Sequence, residues 1–62
     1  MGGNESLTTR ERQVLGLLRQ GLSDTEIATT LFISPRTVEK LIARLMDKTG
    51  ARGRLELVTG SR

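Results

Sequence analysis

The stretch Ser23-Asp24-Thr25-Glu26-Ile27-Ala28-Thr29-Thr30-Leu31-Phe32-Ile33-Ser34-Pro35-Arg36-Thr37-Val38-Glu39-Lys40 contains two helix starts. The Ser23 hydroxyl is followed three residues on by Glu26, so side chain and backbone can satisfy each other's unpaired donors. Ser34 offers a capping hydroxyl, and Pro35 suits the first helical position because it has no N–H to leave unpaired. The stretch therefore predicts a helix over 24–31, the three-residue turn Phe32-Ile33-Ser34, and a longer helix over 35–49. Ile27, Ala28 and Leu31 make one apolar face of the first helix. On the longer helix Val38, Leu41, Ile42, Leu45 and Thr49 cluster within about 100° of arc. Its opposite side carries Arg36, Glu39, Lys40, Ala43, Arg44 and Asp47.

Upstream, Thr8-Thr9-Arg10-Glu11 repeats the hydroxyl-to-Glu spacing and predicts a helix over 9–20, with Val14, Leu15 and Leu18 as its apolar stripe. Leu7 and Leu22 flank that stripe. Gly21 and Gly50 can each take the left-handed conformation that ends a helix. Gly53-Arg54-Leu55-Glu56 opens a short helix over 54–60, with Glu56 placed favourably in the first turn. Leu55 and Val58, with Phe32 or Ile33, are expected to close the ends of the core. The fold class is all-α, a compact four-helix domain over 7–60. Residues 1–6 read as a disordered leader or cloning remnant, and 61–62 as a tail.

Composition removes several functional classes. Sixty-two residues make one small domain, near the size where only roughly 60% of the unfolded chain's surface can be buried. The chain has no cysteine and no histidine. Disulfides, thiolate chemistry, Cys/His zinc sites and a nucleophile–His pair are therefore excluded. The reading is a protein that is not an enzyme and takes no metal or cofactor. No apolar run approaches the ~20 residues that span a bilayer, and the first residues lack a secretory pattern. These features lead us to expect a soluble, cytoplasmic chain.

The net charge of +3 is unevenly spread. Residues 36–54 hold six bases (Arg36, Lys40, Arg44, Lys48, Arg52, Arg54) against Glu39 and Asp47. Residues 1–35 hold three bases against four acids. Concentrated positive charge points to a polyanionic partner, and a solvated helix face is the plainer account of the same charges.

A short helix, a tight turn and a longer basic helix form the helix-turn-helix layout, whose second helix enters the DNA major groove. An αα-hairpin that only packs a core has the same outline. The match goes further along the chain. Leu7-Thr8-Thr9-Arg10-Glu11-Arg12-Gln13-Val14-Leu15, Gly21-Leu22-Ser23-Asp24-Thr25-Glu26-Ile27-Ala28, Leu31 to Lys40, and Lys48-Thr49-Gly50-Ala51-Arg52-Gly53-Arg54-Leu55-Glu56-Leu57-Val58 together resemble the LuxR-type (GerE- or NarL-type) DNA-binding domain of bacterial transcription regulators. The resemblance covers roughly residues 7 to 58.

That resemblance implies sequence-specific binding of double-stranded DNA by the C-terminal output module of a larger regulator, such as a response regulator with an amino-terminal sensor domain. Glu39, Lys40 and Ala43 fall where the family meets base edges. Arg36 lies on the same face and is grouped with them. Glu39 departs from the family's common Lys, and Glu accepts from cytosine N4 where Lys donates to guanine. Lys40 is the candidate for guanine, and Ala43 can touch a thymine methyl. Ser34, Thr37, Arg44 and Lys48 suit phosphates, which set register without reading sequence. Ser23, Asp24 and Thr25 form a helix N-terminus able to bind phosphate, although Thr25 stands where the family often has Lys. Leu41 replaces the family's frequent His and is expected to add packing at the core's edge. Glu11 and Arg54 are expected to pair across the domain.

In this family the fourth helix carries dimer contacts, which here fall on Leu55, Val58 and Thr59. The expected partners are thus DNA, a second copy held weakly and mainly on DNA, and RNA polymerase. Two other classes share the layout: region 4 of a sigma factor, and a helix-turn-helix fold used for protein interaction without DNA. The passage from Gly50 into a fourth helix favours the LuxR type over the sigma module. Glu39 and Thr25 are the features that suit the protein-interaction reading. A single aromatic residue, Phe32, argues against base stacking on RNA. The apolar side of the basic helix is needed by the core, which argues against a membrane surface.

Overall fold

The computed structural model of the chain describes residues 7–59. The expected leader 1–6, residue 60 of the fourth helix and the tail 61–62 lie outside the described residues. Four helices follow in order: α1 Thr9–Arg19, α2 Asp24–Leu31, α3 Pro35–Thr49 and α4 Arg54–Thr59. No strand occurs among the described residues.

Local chemistry accounts for the boundaries. Thr8 Oγ1 accepts from Glu11 N at 3.1 Å, while Thr8 N donates to Glu11 Oε1 at 2.8 Å, so α1 begins with both halves of a capping box. Ser23 and Glu26 do the same for α2, at 3.2 and 2.8 Å. Ser34 Oγ accepts from Thr37 N at 3.1 Å, ahead of Pro35 in the first turn of α3. At the other end of α1, Gly21 takes φ +93°, and the N–H groups of Gly21 and Leu22 return to Leu18 O and Leu17 O. Two orphan carbonyls are thereby satisfied. The same closure ends α2, with Phe32 N on Thr29 O and Ile33 N on Ala28 O. There the left-handed residue is Phe32, at φ 59°, so the turn of the helix-turn-helix carries backbone strain that glycine would not.

Packing follows the sequence's apolar stripes. α3 lies against α1 and α2, and α4 closes the open side of α1 and α3. Val14, Leu18, Ile27, Ala28, Val38, Ile42, Leu45 and Leu57 form the buried core. Leu15, Leu22, Ile33 and Leu41 are half-buried around it, Leu41 at the edge as expected. The ends of the core differ from the expectation. Leu57 is the residue α4 buries, with Val58 half-buried beside it, whereas Leu55 is 73% exposed. Ile33 packs against the core, whereas Phe32 is 93% exposed. Its left-handed backbone gives the reason: the chain reverses at Phe32, and the next residue turns inward.

Candidate nucleic-acid interface

With Val38, Ile42 and Leu45 buried, the 3.6-residue period turns Arg36, Glu39, Lys40, Ala43 and Arg44 outward, and all five are exposed. The four sequence-predicted base-contact residues, Arg36, Glu39, Lys40 and Ala43, thus share one open helix face. Among the described residues, Arg36, Lys40 and Arg44 form no ion pair. A phosphate approaching them therefore breaks no ion pair of the described residues. Thr37, Lys40, Leu41, Ala43 and Arg44 surround a shallow depression on this side of α3.

The expected phosphate contacts divide into two groups. Arg44 and Thr37 stand exposed on the flank of α3, and Ser34 is exposed at its start. The Ser34 and Thr37 hydroxyls lie 3.0 Å apart. At the start of α2, Ser23 and Thr25 are exposed. The Asp24 carboxylate is held by the guanidinium of Arg54, so its side chain is committed within the protein and its charge opposes a phosphate. Lys48 is turned inward. Its Nζ donates to Glu11 Oε1 at 2.8 Å, and only 20% of its side chain is exposed.

The Lys48–Glu11 and Arg54–Asp24 ion pairs replace the expected Glu11–Arg54 pairing. Glu11 has no exposed surface and is the one buried charged residue among those described. Its Oε1 takes both the Thr8 N–H and the Lys48 ammonium, while Oε2 has no hydrogen-bond partner. The Lys48 hydrogen bond, seconded by that from Thr8, holds the Glu11 carboxyl below the usual carboxylate range, against the opposing effect of burial. The sequence carries a signal for this burial, since Glu11 precedes Val14 by three residues and Leu18 by seven, on the same stripe. Arg54, left without Glu11, reaches Asp24 and links α4 to the start of α2. Arg19 Nε also donates to Leu57 O at 3.5 Å, a link with no counterpart in the sequence reading.

The expected pairing surface on α4 is split. Leu55 and Thr59 are exposed and one turn apart, whereas Val58 is half-buried against the core. Among the described residues there is no acidic or Cys/His cluster able to hold a metal. Among the described residues, too, no helix is long and apolar enough to cross a membrane.

Comparison with known proteins agrees with this geometry. Residues 5–60 match the GerE family, described as bacterial regulatory proteins, luxR family. The chain is 48% identical over 52 residues to the spore germination protein GerE of Bacillus subtilis, covering 84% of this chain and 70% of that protein. It is 53% identical over 51 residues to response regulator Rre1 of a Synechocystis strain, covering 82% of this chain but 22% of that one. A putative HTH-type transcriptional regulator of Mycobacterium tuberculosis, Rv0890c, is 45% identical over 53 residues, 86% of this chain and 6% of that protein. The chain therefore spans about a fifth or less of the length of two of these three relatives. No solved structure matches it significantly. With its four helices, its exposed basic α3 and a family match across nearly its whole length, the chain belongs to the luxR family of bacterial regulatory proteins.

Proposed function

We propose that this domain reads double-stranded DNA with α3 in the major groove, as the output part of a bacterial transcription regulator. The observation that carries the reading is the exposed face of α3, where Arg36, Lys40 and Arg44 are without ion-pair partners. Glu39, Lys40 and Ala43 meet base edges, with Arg36 beside them. Arg44, Thr37 and Ser34 hold one strand's phosphates, and at the start of α2 the Thr25 N–H and the Ser23 O–H hold a neighbouring phosphate, the Ser23 N–H being taken by Glu26. Lys48 has no part in this set, because its ammonium supports α1 through Glu11.

Two copies bind neighbouring half-sites about one helical turn apart, meeting through Leu55 and Thr59 with Val58 at the rim. A sensor domain in the same polypeptide controls that pairing, and contact with RNA polymerase conveys the outcome. The work is done in the cytoplasm and involves no catalysis.

The test is a titration of a labelled duplex over a salt series. Backbone neutralisation makes log affinity fall linearly with log salt. Arg44→Ala should make that slope shallower by about one contact, while Lys40→Ala should relax base preference and weaken binding by about 1–3 kcal/mol. Salt-independent binding, or none at low salt, refutes the proposal.

A further inference from the structure

The depression on α3 is a specific kind of surface feature. Thr37, Lys40, Leu41 and Arg44 stand at i, i+3, i+4 and i+7, the four-cornered hole on a helix that one protruding group fills. Ala43 extends it toward the base-facing side. Its chemistry is mixed in a defined way. Leu41, half-buried and packed on the core, supplies an apolar wall. Lys40 and Arg44 supply cations at the rim, four residues apart on one helix face, and Thr37 adds a hydroxyl. The hole therefore suits a small apolar group carried by an anionic polymer.

In the major groove the group of that description is the 5-methyl of thymine, the one apolar substituent that a base pair presents there. The hole also lies between the base-facing residues Lys40 and Ala43 and the flank residues Thr37 and Arg44. A methyl at the margin of the groove, beside its own strand's phosphates, would meet both sets. We propose that Leu41, flanked by the aliphatic stems of Lys40 and Arg44, seats a thymine methyl, making Leu41 a specificity-determining residue alongside the polar readers. This rests on the DNA-binding reading and adds one position of base preference to it. Position 41 then contributes by shape and apolarity, with no hydrogen bond to DNA.

The test uses the 62-residue chain and a duplex recovered from a random pool by binding to it. Each thymine is replaced in turn by deoxyuridine, which removes the methyl and keeps every hydrogen-bonding group. In each half-site the thymine seated on Leu41 should lose about fourfold in affinity, the worth of one buried methyl, and thymines that meet neither Leu41 nor Ala43 should stay near the parent. Leu41→Ser, checked for an unchanged circular dichroism spectrum, should bind the thymine and deoxyuridine duplexes equally at that position. Because Ala43 is also placed to meet a thymine methyl, the variant decides the assignment: a position that stays sensitive in Leu41→Ser overturns the proposal, and Leu41→Gln makes the same comparison if Leu41→Ser misfolds. Tight binding of the parent duplex with no sensitive thymine overturns the proposal and leaves the DNA-binding reading intact. Retention of no duplex at all overturns both.

Discussion

Glu11 shows how one residue links stability, electrostatics and the DNA-facing surface. Its carboxylate is buried between the start of α1 and the end of α3, and Lys48 is the cation that makes this tolerable. Glu11→Gln keeps the shape but removes the charge that Lys48 needs, so it should lower the melting temperature by several degrees. The pH dependence has a definite sign. A carboxyl whose folded-state pKa is depressed contributes stability that is fully present above its unfolded-state value. That stability is lost as pH falls through the folded value. The native chain's resistance to urea should thus fall on acidification, and Glu11→Gln should start less resistant at neutral pH and show a shallower acid dependence. Lys48 and Arg44 also separate cleanly. Lys48→Met should destabilise the fold yet leave the salt slope of DNA binding unchanged in the fraction that folds, while Arg44→Ala should do the reverse. The burial of Glu11 was readable from its place on the Val14–Leu18 stripe. Its partner was not, because only the crossing of α1 over α3 brings Lys48 to it from 37 residues away.

Helix boundaries were the most legible feature, because each is fixed by residues within one turn of itself. Thr8, Ser23 and Ser34 cap as their spacing requires, and Gly21 and Gly50 close with positive φ. The turn at Phe32 differs, since a bulky residue takes the left-handed place and lies 93% exposed. Phe32→Gly should stabilise the domain by roughly 0.5–1 kcal/mol, because only the strained backbone is relieved and little packing is lost. Thermal denaturation measures this directly, and a loss of stability would mean that the ring packs in solution. The short α4 was harder to read. Six residues do not fix a helical phase: the sequence pointed to Leu55 and Val58, whereas packing against α1 and α3 buries Leu57, with Val58 half-buried beside it. Leu57→Ala should cost about 2–5 kcal/mol by opening a cavity, a large share of a small domain's stability. Leu55→Ala should stay within about 0.5 kcal/mol. Denaturant unfolding of the two variants tests which leucine is in the core.

For the whole molecule, the division of labour runs along α3. One side builds the core with Val38, Ile42 and Leu45, and the other presents Arg36, Lys40 and Arg44 without ion-pair partners. This division was legible in the sequence, since a 3.6-residue period and the concentration of bases after residue 35 specify it together. What the period could not specify was which bases stay outside: Lys48 and Arg54 are drawn into pairs with Glu11 and Asp24. On α3 the free cations are thus fewer than the charge count suggests, and Arg36, Lys40 and Arg44 share its exposed side, while Arg10, Arg12 and Arg52 are exposed elsewhere. Leu55 and Thr59 expose too small an apolar area for a stable dimer. The chain should sediment as a monomer at low micromolar concentration and pair only when two half-sites hold two copies together. A stable dimer in dilute solution would show a larger interface than α4 offers. The central claim is that this exposed face reads DNA sequence. It is tested most directly by passing a random duplex pool over the chain at low salt and sequencing what is retained. The account predicts enrichment of one motif, an inverted repeat with cytosine opposite Glu39. Retention without enrichment of any motif, or of no duplex at all, would contradict it.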